Sequence, residues 1–236
     1  MASSSSAIKF FLTFFGTISS YMATQTVGRN SSVTAVLYQS CSELFKNSKH
    51  GIFVSYWKQD MPEIATKATI RDAEVRDHQR IANMHGYHVP NGLASFEESP
   101  PDTAEISHRF DVVRALDMPY IVAELDGDIV GYAYCSSYRP RPAYRFTVEN
   151  TVYVDHHFPR RRLGYLLLES LIERIECTPV RQMIAVMGDS DHVASIKLHE
   201  SLGFRMVGML KGTGFKFGRW VDTVIMQKPR NGISPA

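Results

Sequence analysis

The sequence predicts a mixed α/β domain of the α+β kind: a central mixed, mostly antiparallel sheet flanked by helices. Three observations carry that reading. From "ATIRDAE" onward, strand-like and helix-like segments follow in the order β-α-α-β-β-β-α-β-α-β-β. Two β-rich runs in "YIVAELDGDIVGYAYC" meet at Asp126-Gly127, a strong hairpin signal. Leu163, Leu167, Leu171 and Ile175 recur at four-residue spacing, the stripe of an amphipathic helix.

The elements follow in order. Residues 68–74 read as a strand and 75–87 as a helix that turns Val75, Ile81 and Met84 toward a core. "ESPPD" at 98–102 breaks the chain, and Asp102 can cap a helix over 103–115. After the hairpin, "AYRFTVENTVYV" continues as a third antiparallel strand, and the Leu163 helix carries Glu169, Glu173 and Arg174 on its outer face. "QMIAVMG" is a buried strand, 192–202 a helix stopped by Gly203, and 204–212 and 219–227 are the closing strands. The domain spans 66–230, between an extension over 1–60 and a short tail over 231–236. A mixed sheet with helices on both faces follows.

Composition limits the function. The 236 residues carry a net charge of +2, too balanced to suggest a nucleic-acid surface. Cys41, Cys135 and Cys177 are an odd number with no CxxC pair, which argues against a disulfide framework and for a reducing, cytoplasmic setting. The first 60 residues contain only two acids, Glu43 and Asp60, and much Ser and Thr. Their patch "FFLTFFG" is far short of the ~20 residues that span a bilayer. The segment reads as a signal-peptide core, an acid-poor transit peptide, a disordered extension, or a stretch upstream of a start at Met61. No membrane partner is expected.

Arg160, Arg161 and Arg162 stand where a strand gives way to a helix. A helix N-terminus presents unpaired N–H groups and the positive end of a dipole, and guanidinium forks bind phosphate, so the knot suggests a polyphosphate site. Basic runs are also common on wet surfaces. Asp155-His156-His157 and Asp189-Asp191-His192 have no second half at metal spacing, and no metal is expected.

These segments resemble the GCN5-related N-acetyltransferases (GNAT). "RRRLG" and its helix look like that family's acetyl-CoA-binding segment. "YRPRPAYRFTVENTVYV", "ASIKLHESLGF" and "GFKFGRWVD" resemble the phosphinothricin and methionine sulfoximine (or sulfone) N-acetyltransferase branch. The resemblance covers roughly 67–229. It implies a three-layer fold, acetyl-CoA as co-substrate, a small acidic amino-acid-like acceptor and a homodimer. The branch's loop reads Q/R-x-x-G-x-G, which puts Pro159 at its first residue, Arg162 at its first glycine and Gly164 at its second. An arginine there is harmless at negative φ and costly at positive φ. Leu163 and Tyr165 complete the loop, and His192 stands where the family usually has a pantetheine-contacting Asn.

The resemblance also assigns roles. Glu149, mid-strand among apolar neighbours, stands at the catalytic glutamate; desolvation would raise its pKa, though a strand carboxylate can equally point outward. His199 occupies the place of a tyrosine that protonates the departing thiolate in many relatives, and it has a near-neutral pKa; a helix histidine is also commonly structural. Backbone groups of Val152, Tyr153 and Val154 would pair with the pantetheine arm. Arg139, Pro140, Arg141 and Tyr144, with Glu149, Asn150 and Thr151, would hold the acceptor; two guanidinium groups suit a carboxylate with a tetrahedral polar end. A protein N-terminus, polyamine or drug is the alternative acceptor, and a non-catalytic coenzyme-binding protein a further reading. The paired arginines speak against a cationic acceptor, and Glu149 with His199 against a scaffold.

Overall fold

The computed structural model describes residues 67–233, so everything expected of the extension over 1–60 lies outside the described residues. Strand β1 (Thr69–Asp72) leads through a 3-10 turn (Val75–Asp77) into α1 (His78–Asn91) and α2 (Thr103–Ala115). The hairpin β2 (Tyr120–Leu125) and β3 (Asp128–Ser137) follows, then a second 3-10 turn (Pro142–Tyr144) and β4 (Thr147–Val154). The chain closes with α3 (Leu163–Ile175), β5 (Gln182–Gly188), α4 (Val193–Ser201), β6 (Arg205–Lys216) and β7 (Arg219–Pro229).

The seven strands form one sheet in the order β1-β2-β3-β4-β5-β7-β6. Every neighbouring pair is antiparallel except β4 and β5. Helices on both faces explain why β2 and β3 are nearly continuous apolar runs: each is buried on two sides. On one face the α3 leucines Leu163, Leu167, Leu168 and Leu171 pack on Val130, Ala133 and Val148. On the other, Ile81 and Met84 of α1 and Ile106 and Val113 of α2 pack on Tyr120 and Tyr132. Arg71 ties β1 to both neighbours, meeting Asp77 at 2.7 Å and Glu124 at 2.5 Å.

Four expectations need correction. Val75 does not face the core: it is 75% exposed, because the reciprocal capping box of Glu74 and Asp77 makes a 3-10 turn and delays α1 to His78. The helix then continues beyond 87, to Asn91. The third strand begins at Thr147 rather than near 143, since Pro142 opens the 3-10 turn that holds Tyr144. β6 runs to Lys216 instead of ending near 212. A register shift between Leu210 and Gly214 lets pairing with β7 resume, and Phe217-Gly218 closes the hairpin with φ of 53° and 73°. That is the twist of a type I′ turn, reached with an aromatic residue in a left-handed position.

Candidate active site

β4 and β5 pair over only three positions: Thr147 with Gln182, Val148 with Met183, and Glu149 with Ile184. Beyond Glu149 the strands separate, and β5 continues along β7 while β4 continues along β3. The sheet therefore forks at Glu149. Tyr138 N–H donates to the Thr147 carbonyl (3.3 Å) and Asp155 N–H to the Val130 carbonyl (2.9 Å). With the unbroken β3–β4 register, these bonds fix the alternation: odd-numbered residues of β4 spend their main-chain groups on β3. Asn150, Val152 and Val154 turn theirs to the fork. Tyr153 is the exception among the expected strand residues, because its main-chain groups belong to the β3 ladder. The Val154 carbonyl takes a hydrogen bond from His88 Nε2 (2.8 Å).

Side chains alternate across the same strand. Glu149, Thr151 and Tyr153 face the α1–α2 layer, where Thr151 lies opposite Tyr134 of β3 and the Tyr153 ring packs 4.7 Å from that of His85. Glu149 is half-buried; burial raises its carboxyl pKa, and the Arg139 guanidinium pulls it partly back. Arg139 lies over the Tyr138 ring at 4.9 Å, and Tyr138 meets Tyr144 edge-on at 5.8 Å. Arg139, Pro140, Arg141 and Tyr144 are all exposed in the β3–β4 connection, with Arg141 immediately before its 3-10 turn.

A wall on this face was invisible in the sequence. The segment 92–97 after α1 is tied down by buried Lys216, whose ammonium donates to the carbonyls of Val89 (2.8 Å), Gly92 (3.1 Å) and Ser95 (2.6 Å). Phe96 lies on bare backbone: a Cβ at Gly214 would come within 2.4 Å of its ring, and one at Gly188 within 2.1 Å of the Leu93 carbonyl. Glu97 accepts from Arg109 (2.9 Å) and faces His85 Nε2 (3.2 Å), while His85 Nδ1 meets the Tyr132 hydroxyl at 2.6 Å. Burial lowers the His85 pKa despite Glu97. The available signal was Lys216 itself, one strand period from Gly214 and between exposed Phe215 and Phe217.

On the opposite face the polar groups are buried. Asn150 and His199 are 7% and 4% exposed, with Asn150 Nδ2 3.0 Å from His199 Nε2 and His199 Nδ1 2.8 Å from the Ser195 carbonyl. Burial lowers the imidazole pKa, and the bond to Ser195 recovers only part of that. Asn150 Oδ1 is buried and has no hydrogen-bond partner. Glu149 and His199 thus lie on opposite faces of the strand, and Asn150 sides with the histidine rather than with Glu149 and Thr151.

At the fork's mouth, Arg160 and Arg162 adopt left-handed φ of 58° and 57°. The sequence left the sign of φ open; it is positive. Arg162 caps α3 with its guanidinium 5.0 Å from the Tyr165 ring centre, and Tyr165 bonds Glu169 at 3.1 Å. Leu163 is buried in the core, and a Cβ at Gly164 would stand 3.2 Å from Leu198, so α3 and α4 approach closely there. His192 immediately precedes α4. Asp155, His156 and His157 offer ligand atoms within 4.8 Å of one another. Their carboxylate is already engaged by Arg80 of α1 and by the main chain and ring of His157, the bonds that hold its pKa down against burial. The group braces the loop before α3. Among the described residues, no helix is long and apolar enough to cross a membrane.

Known proteins share this architecture and these motifs. The family model described as acetyltransferase (GNAT) domain matches residues 70–225. A phosphinothricin N-acetyltransferase of Alcaligenes faecalis is 48% identical over 163 residues, 69% of this chain and 83% of its own. An L-methionine sulfoximine/L-methionine sulfone acetyltransferase of Pseudomonas paraeruginosa is 38% identical over 68% of this chain and 93% of its own. The crystal structure of a GNAT superfamily phosphinothricin acetyltransferase from Sinorhizobium meliloti, in complex with AcCoA, superposes with a TM-score of 0.68 at 41% identity, covering 72% of this chain and 94% of that one. The forked sheet of residues 67–233 is an acetyltransferase domain, and the chain belongs to the GNAT family.

Proposed function

We propose that this enzyme transfers the acetyl group of acetyl-CoA directly to the amino group of a small acidic amino-acid-like compound of the phosphinothricin or methionine sulfoximine (or sulfone) type, with Glu149 as base. The position of Glu149 carries the proposal: it is the last paired residue before the fork, half-buried, and close enough to Arg139 for that charge to act on it. Glu149 takes a proton from the acceptor's ammonium. The freed amine attacks the thioester carbonyl, forming C–N; the C–S bond then breaks, and the proton shed by nitrogen neutralises the thiolate. The Val152 main chain, turned to the fork, supplies an N–H for the oxyanion; one such donor contributes ~10²–10³ in rate.

The pantetheine arm lies along Val152 and Val154, with its pyrophosphate at the α3 N-terminus among Arg160, Arg161, Arg162 and the Gly164 turn, and His192 beside the arm. Arg139 and Arg141 hold the acceptor's acidic groups, Tyr144 and Thr151 flank them, and the 92–97 wall closes the far side. The relatives, a phosphinothricin N-acetyltransferase and a methionine sulfoximine/sulfone acetyltransferase, support this acceptor class. Self-association fits the exposed Phe215, Phe217 and Trp220 at the β6–β7 hairpin, and a dimer mass at micromolar concentration checks it. Release of free thiol over a panel of phosphinothricin, methionine sulfoximine, methionine sulfone, a polyamine and an N-terminal peptide tests the acceptor. Turnover confined to the cationic amines overturns it.

A further inference from the structure

We infer that His199 is a positioning residue: in its Nδ1–H form it fixes the Asn150 amide so that Oδ1 accepts a hydrogen bond from an amide N–H of the coenzyme's pantetheine arm. The inference rests on the acetyl-CoA reading above. Ser195 offers His199 a main-chain carbonyl, which only accepts, so the ring proton sits on Nδ1. Nε2 of the neutral ring then has a lone pair and no proton. Its neighbour at 3.0 Å is the Asn150 amide, which must turn its NH₂ to the ring, since the reverse orientation would set two lone pairs face to face. Oδ1 is therefore directed away from the histidine, and no protein donor meets it. A buried carbonyl left unmet is costly, so a ligand donor there is favoured.

Asn150 is the first residue beyond the last β4–β5 pair, so the ligand that enters the fork passes it. Thioester sulfur and acetyl oxygen cannot donate; the secondary amides of the arm can. The same bonds leave Nε2 without a proton for the departing thiolate. That sets His199 apart from the acid role implied by its place in the helix.

The test begins with calorimetric titration of acetyl-CoA into the wild-type enzyme, because absence of binding there refutes the coenzyme reading itself. ¹⁵N-histidine spectra should show the Nδ1–H tautomer of His199 across about pH 6 to 8, with and without coenzyme A. An Nε2–H tautomer, or an imidazolium at neutral pH, overturns the inference without reference to activity. His199→Leu and Asn150→Ala should each raise the acetyl-CoA Kd about tenfold, the value of one hydrogen bond at a buried amide. His199→Gln, whose carbonyl can replace Nε2 as acceptor but cannot protonate a thiolate, should stay within about threefold of wild type. Equal loss of kcat in the Gln and Leu variants with unchanged Kd marks a proton donor and refutes the positioning role. An unchanged Kd in Asn150→Ala refutes the contact between Oδ1 and the coenzyme.

Discussion

The two faces of β4 carry one titratable group each, and burial acts on them with opposite consequences. On the α1–α2 face it raises the Glu149 carboxyl, which makes a stronger base. On the α4 face it lowers the His199 imidazole and so favours the neutral ring, whose one proton faces the Ser195 carbonyl. Both shifts favour the uncharged form. The surroundings differ as well: Glu149 keeps a compensating cation in Arg139, whereas His199 is fixed by a main-chain carbonyl and a side-chain amide. Under the proposed roles, desolvation tunes one group for chemistry and suits the other to alignment.

Glu149→Gln should break that comparison most severely. Turnover should fall by ~10²–10⁴, the range for losing a general base, while calorimetric acetyl-CoA affinity stays within about twofold. A rate within a few-fold of wild type would remove the carboxylate from the mechanism and leave the two faces equivalent.

Lys216→Met removes the tie beneath the 92–97 wall. Three carbonyls lose their charged donor, and each unmet buried acceptor costs about 1–3 kcal/mol, so denaturant unfolding should show a loss of at least about 2 kcal/mol. KM for the acceptor should rise more than KM for acetyl-CoA, because segment 92–97 lies on the Glu149 face. Equal rises would show that the wall serves both ligands.

What the sequence made legible was local. Asp126-Gly127 and the Leu163 stripe mark a turn and a helix by their own chemistry. Phe217 carries no turn signal, so the end of β6 was misplaced; Val75 looked like the first core residue because nothing in its type reveals a capping box. In the site, Glu149 was found through its motif. Strand alternation separates Asn150 from Glu149, whereas the motif resemblance groups them. Lys216 reaches Val89 across 127 residues of sequence, a contact that no local pattern encodes. The tautomer of His199 depends on a carbonyl one helical turn away, visible only once the ring is placed.

Arg139→Leu sharpens the comparison through pH. The proposed base works ionised, so activity should fall as pH drops through the Glu149 pKa. Burial raises that pKa and Arg139 opposes the rise; removing the guanidinium should therefore move the acid limb of kcat to higher pH. Acceptor KM should increase about tenfold, as for one charged hydrogen bond. A limb that stays in place would mean that Arg139 touches the acceptor without acting on the base.

The smallest effect is expected at the fork's mouth, from Arg162→Gly. A left-handed arginine carries a strain on the order of 1–2 kcal/mol, which glycine relieves. Glycine also gives the unfolded chain more freedom, at about 0.4–1 kcal/mol, and forfeits the contact with the Tyr165 ring, about 0.5–1 kcal/mol. These contributions nearly cancel, so denaturant unfolding should change by less than about 1 kcal/mol. Coenzyme binding separates two uses of the side chain. Exposed guanidinium–phosphate pairs are screened within ~10 Å at 0.1 M salt, so a phosphate contact from Arg162 would make acetyl-CoA affinity depend on salt, and glycine would flatten that dependence. Packed over Tyr165, the guanidinium instead covers the helix start, and the left-handed backbone, which glycine adopts without strain, shapes the loop. Titrations at low and high salt should then give Kd values within about threefold of wild type with the same slope. A shallower slope would show that Arg162 leaves the ring to grip the pyrophosphate.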